Sequence, residues 1–348
     1  MASARHRLLS RYLEAANTIA ADWPRAKTGG GNGVPRRTED IQASDTETDV
    51  EIDATQRLLR RQAALLASAQ QHRLAEGGTS QADGVDEELL ERRLADVAST
   101  ATGKFYAYRY DSVPYQWRCL YTDALILSTH LHVLRSLSAH GCLGSDALDR
   151  VVETLDRALI VTGGASERLG AAWIEKTMQN LEVLCEAQER QEEEEEETGE
   201  PSAKRLKTTG GTRAPAAADH ARTFSTHEPH GRPAMRADKQ CPRHRGWTLD
   251  RFEAYMDQES GGEPWPVVFT DLIDDWPALT DRPWNRPAYL LSKTFGGRRL
   301  VPVEVGRSYV DEGWTQDLVP FGRFLAEHVD ASLSGRPVGY LAQHDLFR

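Results

Sequence analysis

The sequence predicts two kinds of folded part, an α-helical N-terminal half followed by a shorter α+β part. Apolar residues recur at helical spacing from Ala4 to Leu184. After Trp247 the pattern changes to short apolar runs of strand type, such as PVVFT (Pro266–Thr270) and LVPVEV (Leu300–Val305). Between these parts, large apolar side chains almost disappear. A chain segment of that composition cannot bury enough apolar surface to fold.

The helical half divides at residue 104. Helical patterns over Ala4–Trp23, Val50–Leu74 and Val85–Ala101 are separated by Gly-rich stretches, so 1–104 is predicted as helical segments with flexible loops. From Pro114 onward the pattern is stronger, and we predict a helical domain over 105–190. The expected helix caps and stops in that domain are Ser145, Ser166, Gly163 and Gly164.

Residues 191–245 are predicted to form a disordered acidic and basic linker. The run Glu192–Glu197 repels itself and supplies more than half of the net charge of -11. The basic cluster Pro201–Lys207 (PSAKRLK) follows it, in the form that nuclear-import receptors bind. The same cluster is also typical of a solvated surface. The expected location is therefore the nucleus, the cytoplasm or both.

The charge, cysteine content and apolar content of the chain limit which kinds of partner are expected. Outside the Glu run the charge balance is mild, so the sequence gives no case for direct nucleic-acid binding. Four widely spread cysteines favour a reducing compartment. No stretch approaches the roughly 18 apolar residues that a membrane span requires. We predict a soluble, intracellular protein with no membrane partner.

The C-terminal part carries the candidate binding residues. Thr248–Met256 is predicted as a capped helix with Leu249, Phe252 and Tyr255 inward. In LVPVEV the valines share one strand face and Glu304 lies on the other. Alternation alone favours solvent over a cavity for Glu304. Core packing is the default for Trp314, and periodicity cannot decide the roles of Tyr340 and Gln343.

No metal site is predicted. The only H-x-D is His328–Asp330, which falls in a helical pattern, and residues two apart on a helix point to different faces. Cys241 and His244 have the spacing of half a zinc site, but no second tight pair accompanies them.

Several C-terminal motifs resemble a known family. VPVEVG (Val301–Gly306), Y-x-D-E-x-W-x-Q (Tyr309–Gln316), VGYLAQH-x-LF (Val338–Phe347) and PVVFTDLIDDWPAL (Pro266–Leu279) are similar to the JmjC-domain oxygenases of the JMJD5 type, with their JMJ30-type plant relatives. Val113–Ala124 and Leu155–Gly164 are similar, more weakly, to the helical N-terminal domain of the same proteins.

This resemblance implies a cupin-like double-stranded β-helix that holds Fe(II) and 2-oxoglutarate and acts on a protein side chain. Both arginyl hydroxylation and histone methyl-lysine demethylation are attributed to the family, so an arginine- or methyl-lysine-bearing protein, such as a histone, is the expected partner. By motif, Tyr340 would bind 2-oxoglutarate, and Glu304, Trp314 and Gln343 would line the substrate side. A carboxylate beside an aromatic face suits a guanidinium.

The sequence also departs from the family. The H-x-D/E and distant His that bind iron lie beyond the motifs matched here, and nothing in these residues replaces them. We therefore expect residues 246–348 to form an incomplete N-terminal portion of the JmjC domain, truncated before the iron-binding motif and inactive as a fragment. The alternative is a non-catalytic nuclear interaction module built on the helical domain.

Overall fold

The computed structural model describes residues 2–21, 41–75, 85–198, 222–225, 234–257, 265–306, 308, 310, 312–329 and 339–346. For 2, 41–48, 75, 110 and 192–198 only the backbone is described. The basic cluster Pro201–Lys207 lies outside these ranges. The chain divides into two compact units, Met1–Gly211 and Thr212–Arg348.

The N-terminal unit is helical. Its described elements are α1 (Ala2–Ala20), α2 (Ile41–Ala75), α3 (Glu87–Ala107), a 3-10 turn (Tyr110–Ser112), α4 (Tyr115–His140), α5 (Ser145–Thr162) and α6 (Gly170–Thr198). The first three match the helices predicted from periodicity, although α2 begins nine residues before Val50. Helix α6 continues through the Glu run to Thr198, so helical backbone enters the range 191–245.

Helix α4 lies at the centre of this unit and packs against α1, α2, α3 and α5. Trp117, Leu120, Leu127 and Leu131 on α4 are fully buried. Burying one such large side chain contributes about 1.5–3 kcal/mol. The amphipathic pattern over α4 therefore describes the main core of the unit.

The helix ends of α5 and α6 test the cap predictions. Gly163 ends α5 with φ of 69°, a left-handed conformation that glycine adopts without steric cost, so that prediction is confirmed. The Ser166 hydroxyl accepts the backbone N–H of Leu169 at 3.2 Å, but the prediction that Ser166 caps α6 was wrong, because α6 begins four residues later at Gly170. The prediction for Ser145 was wrong by one position, because Gly144 is the N-cap and Ser145 is the first helical residue.

The C-terminal unit is a mixture of short elements. They are a 3-10 turn (Ala237–Lys239), β1 (Arg243–His244), α7 (Leu249–Asp257), β2 (Val268–Phe269), a 3-10 turn (Pro277–Leu279), α8 (Pro287–Ser292), β3 (Leu300–Val305), β4 (Thr315–Pro320), α9 (Phe321–Phe324), a π-helical turn (Leu325–Val329) and β5 (Gly339–Leu341). Strands β1 and β2 pair in parallel.

Strand β3 is the middle strand of a three-stranded antiparallel sheet of order β4-β3-β5. Val301 and Val303 of β3 are buried on one face, as the alternation predicts. They form a core with Leu290, Phe321, Phe324, Leu325 and Leu346. This core fixes which face of the sheet carries Glu304.

Two predictions about the start of this unit were wrong. Leu249 is 85% exposed and Phe252 is 36% exposed rather than inward, and only Tyr255 of the three is half-buried. PVVFT is not a buried strand, because β2 covers only Val268 and Phe269 and both are half-buried. The aromatic rings here pack on Trp247 instead, with centroid distances of 4.3 Å to His244, 5.5 Å to Tyr255 and 5.4 Å to Phe269. Aromatic contacts therefore organise this segment more than the apolar period does.

Among the helices in the described ranges, none has the length and apolar character needed to cross a membrane.

Candidate functional site

The candidate site is a row of polar side chains across the three-stranded sheet. Glu304 on β3 is directly opposite Gln316 on β4 and directly opposite Tyr340 on β5. Residues that are opposite each other in a ladder share one face of the sheet, with Cβ atoms about 4.5–5.5 Å apart. The sheet therefore places a carboxylate between an amide and a phenol.

Two hydrogen bonds hold this row. The Gln316 Nε2 atom donates to Glu304 Oε1 at 3.2 Å. The Gln343 Nε2 atom donates to the Tyr340 hydroxyl oxygen at 3.1 Å. Because that oxygen acts as the acceptor, the phenolic proton of Tyr340 remains available to donate to another group. A carboxylate oxygen of a ligand is a suitable acceptor for it.

The two faces of the sheet differ in polarity and exposure. On the face opposite the row, Val301 and Val303 are 0% and 1% exposed. On the row itself Glu304 is half-buried, whereas Gln316 and Gln343 are exposed and Tyr340 is 51% exposed. The row is therefore a polar, accessible face on a sheet that is anchored from behind.

Trp314 lies at the end of the row where β3 and β4 approach the turn between them. Gly306 has φ of 130°, and a Cβ there would lie 3.2 Å from the Trp314 Cα and 3.5 Å from its Cδ1. Trp314 therefore packs against the backbone two residues after Glu304. Trp314 is half-buried and lies beside the end of β3 that follows Glu304.

The structure brings together three of the four residues singled out from the sequence. Glu304, Tyr340 and Gln343 belong to the row, and Trp314 borders it. Gln343 contacts the Tyr340 hydroxyl, a partner that the sequence did not indicate. The cosubstrate and substrate roles of these four residues stay predictions.

Sequence reasoning gave no role to Gln316, although it ends the Y-x-D-E-x-W-x-Q motif. Its partner becomes visible only with the β3–β4 register, in which Val305 pairs with Thr315 and Glu304 with Gln316. The signal available in the sequence was alternation. Gln316 is two residues after Trp314, and on an extended strand such residues share a face.

His328 has a packing role in the structure. It lies on the π-helical turn, 5.7 Å from the Phe324 ring, and its imidazole packs against Gly339 at the start of β5. Within the described ranges, no three His, Cys, Asp or Glu side chains come together as a possible metal site. The phenolic proton of Tyr340 can be donated to a carboxylate such as that of 2-oxoglutarate.

Comparison with curated proteins gives significant matches. The chain is 28% identical over 233 residues to lysine-specific demethylase 8 of Danio rerio, which covers 67% of this chain and 48% of that protein. It is 44% identical over 82 residues to lysine-specific demethylase JMJ30 of Arabidopsis thaliana, covering 24% of this chain and 18% of the relative. It is 38% identical over 85 residues to JmjC domain-containing protein D of Dictyostelium discoideum, with coverage of 24% and 18%.

The chain thus spans about half the length of the zebrafish relative and less of the other two. No family model matches the chain, and no solved structure matches it significantly.

Proposed function

The chain is a JmjC-domain, JMJD5-like protein, and from that premise we propose that its C-terminal unit forms the substrate wall of a JmjC oxygenase domain. The family implies a cupin-like fold with Fe(II) and 2-oxoglutarate. The proposed ligand of the wall is a cationic side chain of a protein, either a guanidinium or a methylated ammonium. Glu304 would bind this cation and Tyr340 would bind a carboxylate of 2-oxoglutarate.

The observation that supports this proposal is the register that places Glu304 between Gln316 and Tyr340. Gln316 occupies one oxygen of the Glu304 carboxylate. Among the described residues, no hydrogen bond to the other oxygen, Oε2, is seen. A guanidinium can bind a carboxylate through parallel N–H bonds, and the half-buried indole of Trp314 is near enough to the strand end to stack on it.

The names of the relatives favour a lysine substrate for those proteins, whereas the carboxylate suits arginine equally well. A methylated ammonium offers fewer N–H donors and relies on charge and aromatic contact. The experiment must therefore compare both cations on the same peptide. The choice between them is an outcome of that comparison.

We propose that these 348 residues bind substrate without turning over 2-oxoglutarate on their own. Bound iron and 2-oxoglutarate supply the oxidation in the family. Here the single H-x-D spans His328, whose ring packs on Gly339. Among the described residues, no three His, Cys, Asp or Glu side chains form another possible metal site.

The binding proposal is tested by calorimetry with three peptides that differ at one position, carrying arginine, trimethyl-lysine or alanine. We expect at least one cationic peptide to bind and the alanine peptide to bind about tenfold or more weakly, since a charge-assisted pair is worth about 1.5–3 kcal/mol. Glu304→Gln removes the charge and should abolish that difference. Asp317→Asn, on the opposite face of β4, is the matched control. Equal binding of all three peptides contradicts the proposal.

The turnover proposal needs a separate measurement. The purified chain is titrated with Fe(II) in the absence of oxygen, and succinate formation from 2-oxoglutarate is then followed in air. We expect no saturable stoichiometric iron binding and no succinate above a protein-free control. Stoichiometric iron with succinate formation would show that the chain holds a complete site.

A further inference from the structure

We infer that Gln316 is a positioning residue, which holds the Glu304 carboxylate in the orientation that binds the cationic side chain. This inference rests on the proposed function, because it names how the charge of that site is oriented. Its observation is independent of the relatives. It is the 3.2 Å hydrogen bond from Gln316 Nε2 to Glu304 Oε1 between strands that are in register.

The first step of the argument is conformational. A glutamate side chain has three rotatable bonds, and fixing them on binding lowers the affinity for a ligand. Glu304 is anchored through its backbone to both β4 and β5, and its side-chain hydrogen bond to Gln316 favours one rotamer. An amide that holds one oxygen in the free protein reduces the entropy lost when the ligand arrives.

The second step concerns charge. The Gln316 amide is neutral, so it orients the carboxylate without cancelling its negative charge. An arginine or lysine at this position would instead form an ion pair with Glu304 and compete with a cationic ligand. A neutral donor is therefore the kind of side chain that suits an anionic binding group, which must remain free to pair with an external cation.

The third step separates positioning from packing. The Gln316 side chain is exposed and lies on the sheet face opposite Val301 and Val303, so it contributes nothing to the core behind the sheet. Its removal should leave the fold intact. The loss expected on mutation is thus a loss of ligand affinity rather than of structure.

Gln343 gives a parallel case on the other edge of the sheet. Its amide donates to the Tyr340 hydroxyl at 3.1 Å and so orients the second candidate binding group of the row. Each of the two groups that would contact a ligand is held by an amide of this chain. This repetition supports a function in orientation for Gln316.

The test uses the full chain and the variant Gln316→Met, which keeps the side-chain length and removes the donor. The first readout needs no ligand. In a ¹⁵N–¹H spectrum, the side-chain amide signal of Gln316 should shift on Glu304→Gln and remain unchanged on Asp317→Asn. If the Gln316 amide signal does not shift on Glu304→Gln, the positioning inference is wrong.

The second readout is the affinity for the cationic peptide. Gln316→Met should weaken binding about threefold to tenfold, the net value of a typical hydrogen bond, because Gln316 orients the carboxylate and does not itself contact the ligand. In the Glu304→Gln background, the same substitution should have no further effect, because its action passes through the carboxylate. Equal losses in both backgrounds would show that Gln316 acts independently, and the inference would then be wrong.

The two proposals fail in different ways. If the Gln316 amide signal responds to Glu304 but no cationic peptide binds, the proposed function is wrong while the contact stands. If the peptide binds and Gln316→Met has wild-type affinity, the proposed function stands and the positioning inference is overturned. Thermal unfolding of each variant shows whether the fold is retained.

Discussion

At the scale of single residues, Gly339 is the position where the sheet tolerates least change. It pairs with Val305 at the start of β5, next to Tyr340. A Cβ on Gly339 would overlap the imidazole ring of His328. Only the absence of a side chain lets β5 and the π-helical turn approach so closely, and such close approaches are a common reason for glycine in a strand.

We predict that Gly339→Ala lowers the free energy of unfolding of the C-terminal unit by about 1–3 kcal/mol, the usual cost of overpacking. Urea unfolding followed by hydrogen exchange of peptides from β3 and β5 measures it. Gly313→Ala is the matched control, because a Cβ there meets no atom within 4 Å. Replacing His328 by alanine in the Gly339→Ala chain should restore part of the loss. A Gly339→Ala chain as stable as wild type would contradict the overlap.

The candidate site shows what a sequence can predict at this scale. Alternation along LVPVEV predicted that Glu304 faces away from the valines, and the buried Val301 and Val303 bear this out. The contacts to Gln316 and Tyr340 depend on strand register, which turns and long-range pairing determine and which periodicity does not contain. Contacts within one strand could be predicted, and contacts between strands could not.

At the scale of helices, a buried polar network joins α1, α2 and α4. The Gln70 amide donates to the backbone oxygen of Leu9 at 2.8 Å, so its side-chain oxygen faces the His130 Nε2 atom as an acceptor. His130 must then carry its proton on Nε2. Its Nδ1 atom is buried with no hydrogen-bond partner in the described part of the chain. The ring also stacks on Tyr12 at 5.2 Å.

We predict that this network makes the helical unit sensitive to acid. Burial lowers the pKa of His130 from its ordinary 6.5 to about 3. Between those values the unfolded chain binds the proton more strongly than the folded chain, so stability falls as pH falls below about 6.5. Lowering pH from 7 to 4.5 should cost about 2 kcal/mol through this group. In His130→Asn, urea unfolding should depend less on pH over that range. An unchanged slope would contradict the prediction.

Asp123 on α4 gives a dependence of opposite sign. Burial raises the pKa of this carboxyl from 3.8 to about 7; the hydrogen bond from Ser166 opposes the rise and the nearby Glu167 adds to it. The Ser166 hydroxyl donates to Asp123 Oδ1 at 2.8 Å and ties the segment before α6 to α4. A raised pKa in the folded state gives stability that is complete below about pH 3.8 and is lost as pH rises through 7.

We therefore predict that Asp123→Asn gains stability relative to wild type as pH rises. At pH 5 the Asp123 carboxyl is protonated in the folded chain but ionised in most of the unfolded chain, so wild type has already lost part of this stability. By pH 8 the difference should have shifted in favour of Asn by about 2–4 kcal/mol. Urea midpoints at both pH values measure the shift, and Asp146→Asn at an exposed position on α5 is the control. A constant difference between pH 5 and pH 8 would rule the effect out.

The sequence predicted the positions of the helices better than it predicted which of their residues are buried. The periods over the predicted domain 105–190 indicated helices where α4 and α5 lie, and both helices pack against neighbouring helices. The same reasoning over α7 predicted an inward Leu249, which is 85% exposed. The spacing of apolar residues shows which of them share a helix face. Whether that face is buried depends on a neighbouring element, which the spacing does not identify.

At the scale of the whole molecule, the two units differ in how well they cover apolar surface. The helical unit buries many large side chains on α1, α2, α4 and α5, although Val50, Leu74 and Tyr115 are more than half exposed. In the described part of the C-terminal unit, several large apolar side chains remain more than half exposed. They are Leu249, Trp265, Leu272, Trp276, Leu279 and Trp284. Less apolar burial means less stabilisation.

We predict that urea unfolds the chain in two transitions, with the C-terminal unit unfolding first. Substitutions at Gly339 and Asp123 distinguish the two transitions. Gly339→Ala should shift only the first, which is read from hydrogen exchange in β3 and β5. Asp123→Asn should shift only the second, read from α4, and the shift should grow as pH rises from about 3.8 to 7. If all the variants move one shared transition, the two units fold cooperatively and the difference in burial does not determine the order of unfolding.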